Sequence, residues 1–412
     1  MVSSSSMFIR SKFAEYYRQN RSRILFPSTL ARREFGFALF EGQMVRHKRF
    51  GREEELESFL QACVPSDAYF SCAYYDSPEA EMDRKGWLGA DLLFDIDADH
   101  IETPCGKVHD AWTCGGCGFK GKGIVPERCP ACGGERFVLR SWPCEECLDS
   151  AKRETIKLLD MLSGDFGFSK KDLHAFFSGH RGYHVQVEAE SARTLDAVAR
   201  KEIVDYVCAV GLDTGFNASS RKGSARFILP SAPRLDDRGW RGRIAKRMYD
   251  LILKGQAQDY AMLGLKRNMA EIIIRNRETI LKSWGSVGPY HAVRGLGFET
   301  WGRIVDSCVD SLSAKVDTVV TTDTHRLIRL GGALHGKTGL RKTEFLISDI
   351  ENFDPLKEAV AFTAGTARVF VSEAPKFTLA DEAFGPYRNQ IVELPTAAAL
   401  LLVCKKRAEV AE

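Results

Sequence analysis

The feature that most constrains this chain is a run of cysteines compressed into one stretch. Cys114-x2-Cys117, Cys129-x2-Cys132 and Cys144-x2-Cys147 are three pairs at knuckle spacing, with Cys105 and His109 just upstream. Four thiolate or imidazole ligands close one structural zinc site, so eight make two. Gly115-Gly116 and Gly133-Gly134 supply the tight turns that such knuckles use. Spacing alone leaves the grouping open: Cys105 and His109 complete a second site, or stand beside a single site made by the 114/117 and 144/147 pairs. Cys63, Cys72, Cys208, Cys308 and Cys404 have no ligand spacing and read as core residues. The N-terminal Met1-Val-Ser-Ser-Ser-Ser lacks the basic-then-apolar pattern of a secretory signal. No uncharged apolar run approaches the roughly 18–20 residues that span a bilayer. The expectation is a cytoplasmic chain with no membrane partner, in which clustered cysteines bind metal rather than form disulfides.

With 412 residues, the chain has room for one large domain with insertions, or for two domains. A formal net charge of +3 is too small to mark a nucleic-acid binder, so any basic surface must be local. Hydrophobic periodicity predicts helices over 7–24, 53–63 and 150–166, and a long helical stretch over 235–312. Strands are predicted over 32–40, 67–75, 91–97, 173–177, 183–187, 316–321, 327–330 and 344–347. The sequence after Pro395 reads as a short helical tail. The pattern is that of a mixed α/β domain with a helical insertion.

Three segments carry candidate chemistry. In Asp91-Leu-Leu-Phe-Asp-Ile-Asp the strand period puts Leu92, Phe94 and Ile96 on one face and Leu93, Asp95 and Asp97 on the other. Carboxylates two residues apart lie about 6–7 Å apart at Cα, close enough to share two divalent ions in phosphoryl transfer. Taken alone, the pair also fits a strand end whose acids face solvent. Ser178-Gly-His-Arg-Gly-Tyr-His joins two strands by a turn whose glycines let backbone N–H groups approach an anion, or else by a basic surface hairpin. Downstream, Val316-Asp317 precedes Arg326-Leu-Ile-Arg329 and Leu334-His335-Gly-Lys-Thr-Gly-Leu340, rich in cations and glycine and suited to polyphosphate. A solvated basic loop is the other reading of that stretch.

Together these segments resemble, in order and spacing, the motif series of the archaeal and eukaryotic DNA primase small subunit, from Arg32 to about Ile347. The resemblance implies an α/β primase catalytic fold built from 1–100, 149–234 and 313–395. It further implies a zinc knuckle with an inserted ribbon at 101–148, a helical subdomain at 235–312 and a C-terminal tail at 396–412. It implies that Asp95, Asp97 and Asp317 bind catalytic Mg2+ or Mn2+, and that Ser178, His180, Arg181, His184, Arg329 and His335 bind the triphosphate of an incoming NTP or dNTP. His180 stands where the eukaryotic pattern has arginine, and Arg329 where it has lysine. The family knuckle matches Cys105, His109, Cys144 and Cys147, which leaves Cys114, Cys117, Cys129 and Cys132 for a second zinc. The implied function is template-directed primer synthesis on single-stranded DNA for replication, in a heterodimer with a large subunit. A repair or end-joining polymerase of the same superfamily, or a non-catalytic zinc-ribbon protein, are the alternatives.

Overall fold

The computed structural model describes residues 3–215 and 231–411. Within the 149–234 segment expected in the catalytic domain, residues 216–230 lie outside the described residues. The chain divides into two compact units. The first comprises Met1–Leu159, Phe168–Val204 and Lys315–Glu412, the second Asp160–Gly167 and Asp205–Ala314. Among the described residues no helix is long and apolar enough to cross a membrane.

The first unit is mixed α/β and contains two four-stranded antiparallel sheets. One runs in the order Leu327–Arg329, Asp67–Ser71, Phe35–Ala38, Met44–Lys48. The other runs Thr343–Phe345, Leu173–Phe177, Gly182–Val187, Leu92–Asp97, so the acidic strand is an edge. Leu92, Phe94 and Ile96 are buried on one face, as the strand period requires. Leu93, on the face of the acids, is buried as well. It enters a core with Phe13, Tyr16, Phe35, Phe37 and Phe70. The acidic strand is therefore covered on both faces at its start, and the cover ends where Asp95 and Asp97 emerge.

Its register is fixed by close backbone approach. Asp95 lies opposite His184 and Asp97 opposite Gly182. A Cβ at position 182 would lie 2.1 Å from the carbonyl oxygen of Ile96, so only glycine fits there. The strand's entry is held by a buried network. Asp91 Oδ2 accepts from Arg33 Nη2 at 2.6 Å and from Gln186 Nε2 at 2.9 Å, while Oδ1 accepts from the Tyr74 hydroxyl at 2.7 Å. Arg33 also donates to the carbonyls of Ser71 and Cys72, which ties this point to the other sheet's Asp67–Ser71 strand.

Two expectations are corrected. The strand predicted over Val316–Thr321 is instead a turn of helix, Thr318–Thr322, capped by the Asp317 side chain accepting from the Val319 amide at 2.9 Å. β-Branched residues favour strand locally, but an aspartate N-cap and burial of Val320 beside Leu93 in one core override that preference. The segment after Pro395 is the short helix expected, but it is packed into the first unit rather than set apart as a tail. The helix Thr396–Cys404 is apolar on all sides and almost wholly buried, as such a helix must be. Ala408–Val410 then pairs with Thr366–Ala374, which also pairs with Tyr387–Pro395.

The second unit is helical over its described residues. Gly239–Lys254 buries Trp240, Ile244, Met248 and Ile252, and Phe298–Leu312 buries Trp301, Ile304, Val305 and Cys308. Three shorter helices, Ala257–Met262, Arg267–Arg275 and Arg277–Ser283, lie between them in sequence.

The Asp91 network sets a stability test. Removing one partner of a buried ion pair leaves the other charge uncompensated and costs about 3–5 kcal/mol. Asp91→Ala should lower the unfolding free energy by that amount in urea denaturation. A loss below about 1 kcal/mol, the value of an exposed pair, would show that the network does not anchor the strand.

Candidate active site

Each acidic group reaches the site by a separate backbone device. Asp95 and Asp97 are carried by the edge strand; Asp317 is brought to that edge by its own amide, which donates to the Asp95 carbonyl at 2.8 Å. Asp97 Oδ1 accepts from the Asp99 amide at 2.9 Å and starts a short turn that adds Asp99 to the group. Burial, followed by repulsion from Asp97 and then Asp317, pushes the Asp95 carboxyl up to about 7. Three carboxylates in such proximity are an unfavourable arrangement that a divalent cation would relieve, and an all-oxygen donor set suits a hard cation. Asp97, Asp99 and His180 also bring one ligand atom each within 4.8 Å of one another.

The glycine-bearing turn faces these acids across a cleft lined by Asp95, Asp97, Ser178, His180, Arg329 and His335 among others. The Ser178 hydroxyl accepts from the amides of His180 and Gly182, both at 3.3 Å, and so closes the turn. Gly179 adopts φ +88°, and a Cβ there would press on His335 Cβ at 3.0 Å. The rings of His180 and His335 consequently stack, centroids 5.0 Å apart at 21°. His184 Nε2 lies 3.5 Å from Asp95 Oδ1. All three histidines are held well below their ordinary pKa, first by burial and then by surrounding cations, so they are neutral donors and acceptors at pH 7. Arg329 is buried over the Tyr69 ring and paired with Asp67, which fixes its position at the cleft wall.

Arg181, for which the resemblance implies a phosphate role, makes its contacts with the insert and the acidic turn. It is 1% exposed, and its Nη1 contacts Asp110 Oδ2 at 2.8 Å and Asp99 Oδ1 at 3.0 Å. Its Nη2 donates to Cys147 Sγ at 3.5 Å. The guanidinium thus bridges the cysteine insert to Asp99 on the acidic side of the cleft. The physical reason is that two carboxylates and a sulfur lie on that side, and they outweigh a site that already holds several cations.

In the insert itself the ligands fall into two groups of four. Cys105, His109, Cys144 and Cys147 make one, and Cys114, Cys117, Cys129 and Cys132 the other. The Cys105–Cys147 and Cys114–Cys132 sulfurs are 3.3 and 3.6 Å apart, and Cys117–Cys129 are 3.7 Å apart. A tetrahedral ion with bonds of about 2.3 Å needs edges of about 3.8 Å, close to these values. His109 Nδ1 meets Asp110 Oδ1 at 2.7 Å, the carboxylate support usual behind a ligating imidazole.

Sequence reasoning missed several groups at this cleft. Lys405, at the end of the buried C-terminal helix, places Nζ 2.6 Å from His180 Nε2. Burial, then repulsion from Arg181 and Lys337, brings its ammonium down to about 7. Lys337 and Arg326 line the cleft, and the Arg326 charge opposes the upward shift of Asp95. Arg326 and Lys337 sit inside the basic stretch singled out above, whereas nothing local marks Lys405, which arrives only through tertiary packing.

Acids on a strand edge, facing a cleft with basic and histidine side chains in a mixed α/β unit, are compatible with metal-dependent phosphoryl-transfer chemistry. Comparison with known proteins gives the particular family. The sequence pattern of the DNA primase small subunit family matches residues 143–347. Proteins named DNA primase small subunit from Nitrosopumilus maritimus and Methanococcoides burtonii are 31% and 34% identical to this chain. The alignments cover 98% of this chain in both cases, with 98% and 97% of the relatives. A third, from Archaeoglobus fulgidus, is 33% identical over 97% of each. The chain belongs to the DNA primase small subunit family and is a catalytic primase subunit, an enzyme that synthesises primers.

The crowding of carboxylates has a measurable sign. An unfolded aspartate titrates near about 3.9, whereas Asp95 is raised to about 7. Between these values the native state holds a proton that the unfolded state has lost, so stability falls as pH rises through that window. Above pH 7 the penalty is fully present. Without added divalent cation, Asp95→Asn should therefore raise the melting temperature at pH 8 and change it little at pH 4. An unchanged or lower melting temperature at pH 8 would mean that neither burial nor the neighbouring acids penalise the Asp95 charge.

Proposed function

We propose that Asp95, Asp97 and Asp317 hold the catalytic divalent cations of this primase subunit, and that Ser178, His180, His184, Arg329 and His335 form its triphosphate cradle. The observation that carries this reading is the pairing of the acidic strand with the strand leaving the glycine turn, which sets Asp95 opposite His184. Bound there, Mg2+ or Mn2+ would lower the pKa of the attacking 3′-hydroxyl and neutralise the charge on the β- and γ-phosphates. The Ser178 turn and the neutral His180 and His335 offer hydrogen bonds to phosphate without adding charge. Arg329 and Lys337 offer the positive charge. Asp67 holds Arg329 in place, so that it meets a phosphate with little loss of side-chain freedom. Lys405 acts on the phosphates through His180, supplying the cation that an arginine at 180 would carry itself.

The two cysteine groups serve as structural zinc sites in a zinc knuckle with its inserted ribbon, within the primase catalytic fold. Four protein ligands leave no open position for substrate, so neither zinc takes part in the chemistry. The Cys105 group supports the catalytic acids indirectly, through the Cys147–Arg181–Asp99 chain of contacts. Base selection comes from pairing with a single-stranded DNA template, with NTPs and dNTPs as substrates, and a large subunit completes the heterodimer. The catalytic domain spans 1–100, 149–234 and 313–395, with the helical subdomain at 235–312 and residues 396–411 as part of the catalytic unit rather than a separate tail.

Incorporation of labelled nucleotides on unprimed single-stranded DNA tests this reading. Wild type should make primers, whereas Asp317→Ala should make none while keeping its circular dichroism spectrum. His335→Ala should raise the nucleotide KM by about tenfold or more, equivalent to about 1.5–3 kcal/mol for a lost charged hydrogen bond, with template affinity unchanged. Wild-type synthesis by Asp317→Ala would remove it from the metal site. An unchanged nucleotide KM with poorer DNA affinity would move His335 to the template groove.

A further inference from the structure

The ribbon within the cysteine insert has a face that neither metal group nor the catalytic cleft uses. Its three strands lie in the order Lys120–Lys122, Ala111–Cys114, Phe137–Arg140. The register sets Ala111 between Lys122 and Arg140, and Thr113 between Lys120 and Val138. Antiparallel partners share a face, and residues two apart on a strand do too. One side of the sheet therefore carries Lys120, Lys122 and Arg140 around small Ala111 and Thr113, with no carboxylate among its residues.

The opposite side is the packed one. Trp112 is buried there, its ring lying so close to Gly121 that a Cβ would come within 2.1 Å of it. Phe137 packs edge-on against the same indole, centroids 5.2 Å apart. With Trp112 fixing the back and the four-cysteine group fixing the end, the basic side is a stiff exposed platform. Lys120, Lys122 and Arg140 are all exposed, and none makes an ion pair among the described residues. The ribbon's remaining acid–base contact, Arg128 with Glu135 at 3.3 Å, involves neither the platform nor its strands.

The platform also borders a cavity that reaches the turn after the acidic strand, with Asp99, Glu102 and Asp110 on its far wall but none of Asp95, Asp97 or Asp317. Ala111, Lys122 and Arg140 line a cavity whose wall includes Ala98, Asp99 and His100, the residues that directly follow the acidic strand. A row of cations leading towards the acidic strand suits a polyanion that must end there. Flexible cations without a paired hydrogen-bonding frame contact phosphates and not base edges, which matches a strand accepted in any sequence.

We propose that this face binds the phosphate backbone of the single-stranded DNA template and leads it to the catalytic strand. The inference rests on the primase reading above but concerns a surface outside the site assigned there. Each lysine or arginine that neutralises a phosphate on single-stranded nucleic acid adds about 0.7 to the slope of log K against log salt. Three such contacts give the platform a slope contribution of about 2.

The test uses the full chain and the triple variant Lys120→Gln, Lys122→Gln, Arg140→Gln, with fluorescence anisotropy on a labelled oligonucleotide over a salt series. The variant should bind at least about tenfold more weakly at low salt and with a salt slope reduced by about 2. Its metal content and its nucleotide KM on saturating, pre-annealed primer–template should match wild type. Arg128→Gln, a cation of the same ribbon outside these strands, should bind DNA as wild type does. Unchanged affinity and slope in the triple variant would overturn the proposal, and so would an equal loss per removed charge in the Arg128 variant, which would indicate bulk charge. The binding readout does not depend on catalysis. Failure of wild type to incorporate nucleotides would therefore count against the assigned function and leave this inference to be judged by anisotropy alone.

Discussion

Everything at the acidic edge depends on one backbone contact, the approach of Gly182 to the acidic strand. With a Cβ excluded at that position by the Ile96 carbonyl, the two strands close to a distance that only one register allows. A slip of one residue would turn Asp95 and Asp97 to the buried face occupied by Phe94 and Ile96, where an unpaired carboxylate is prohibitively costly. The same strand pair delivers His184 to Asp95 and begins the turn that holds His180 against His335. A single steric constraint thus sets both the acidic and the histidine-bearing halves of the cleft.

The electrostatics of the cleft follow from its separation into two groups of like charge. On one side stand Asp95, Asp97, Asp99 and Asp317; on the other, Arg329, Lys337 and Lys405 surround neutral histidines. Asp99 is paired with Arg181 and Arg329 with Asp67, whereas Asp95, Asp97 and Asp317 have no arginine or lysine partner among the described residues. A folded protein that keeps such an arrangement does so at some loss of stability, which is common where binding is the purpose. Cation and triphosphate together would complement both groups at once.

Much of this was legible in sequence, for identifiable reasons. The acidic strand, the glycine turn and the ligand spacing in the insert are short-range patterns, and period-2 alternation or CxxC spacing reads them directly. The helix at 53–63 was equally plain because Leu56 and Leu60 repeat at helical spacing. Three features were not readable, each because a long-range contact decided it. Asp317 sits on a helix cap because Val320 joins the core beside Leu93, although Val-Val-Thr-Thr prefers a strand. Arg181 turns into the insert because Asp110 and Cys147, far away in sequence, converge on it. Lys405 reaches His180 across 225 positions of sequence by way of a buried helix that looked like a tail.

A crystal soaked with Mn2+ and a non-hydrolysable nucleotide tests whether the paired strands build one cation site beside one triphosphate cradle. Anomalous scattering should place manganese within about 2.0–2.2 Å of carboxylate oxygens of Asp95 and Asp97, the usual range for a small divalent cation. The nucleotide phosphates should lie between that ion and the Ser178–His180–His335 wall. Manganese bound only between Asp99 and His180, or phosphates lying outside the cleft, would contradict the account.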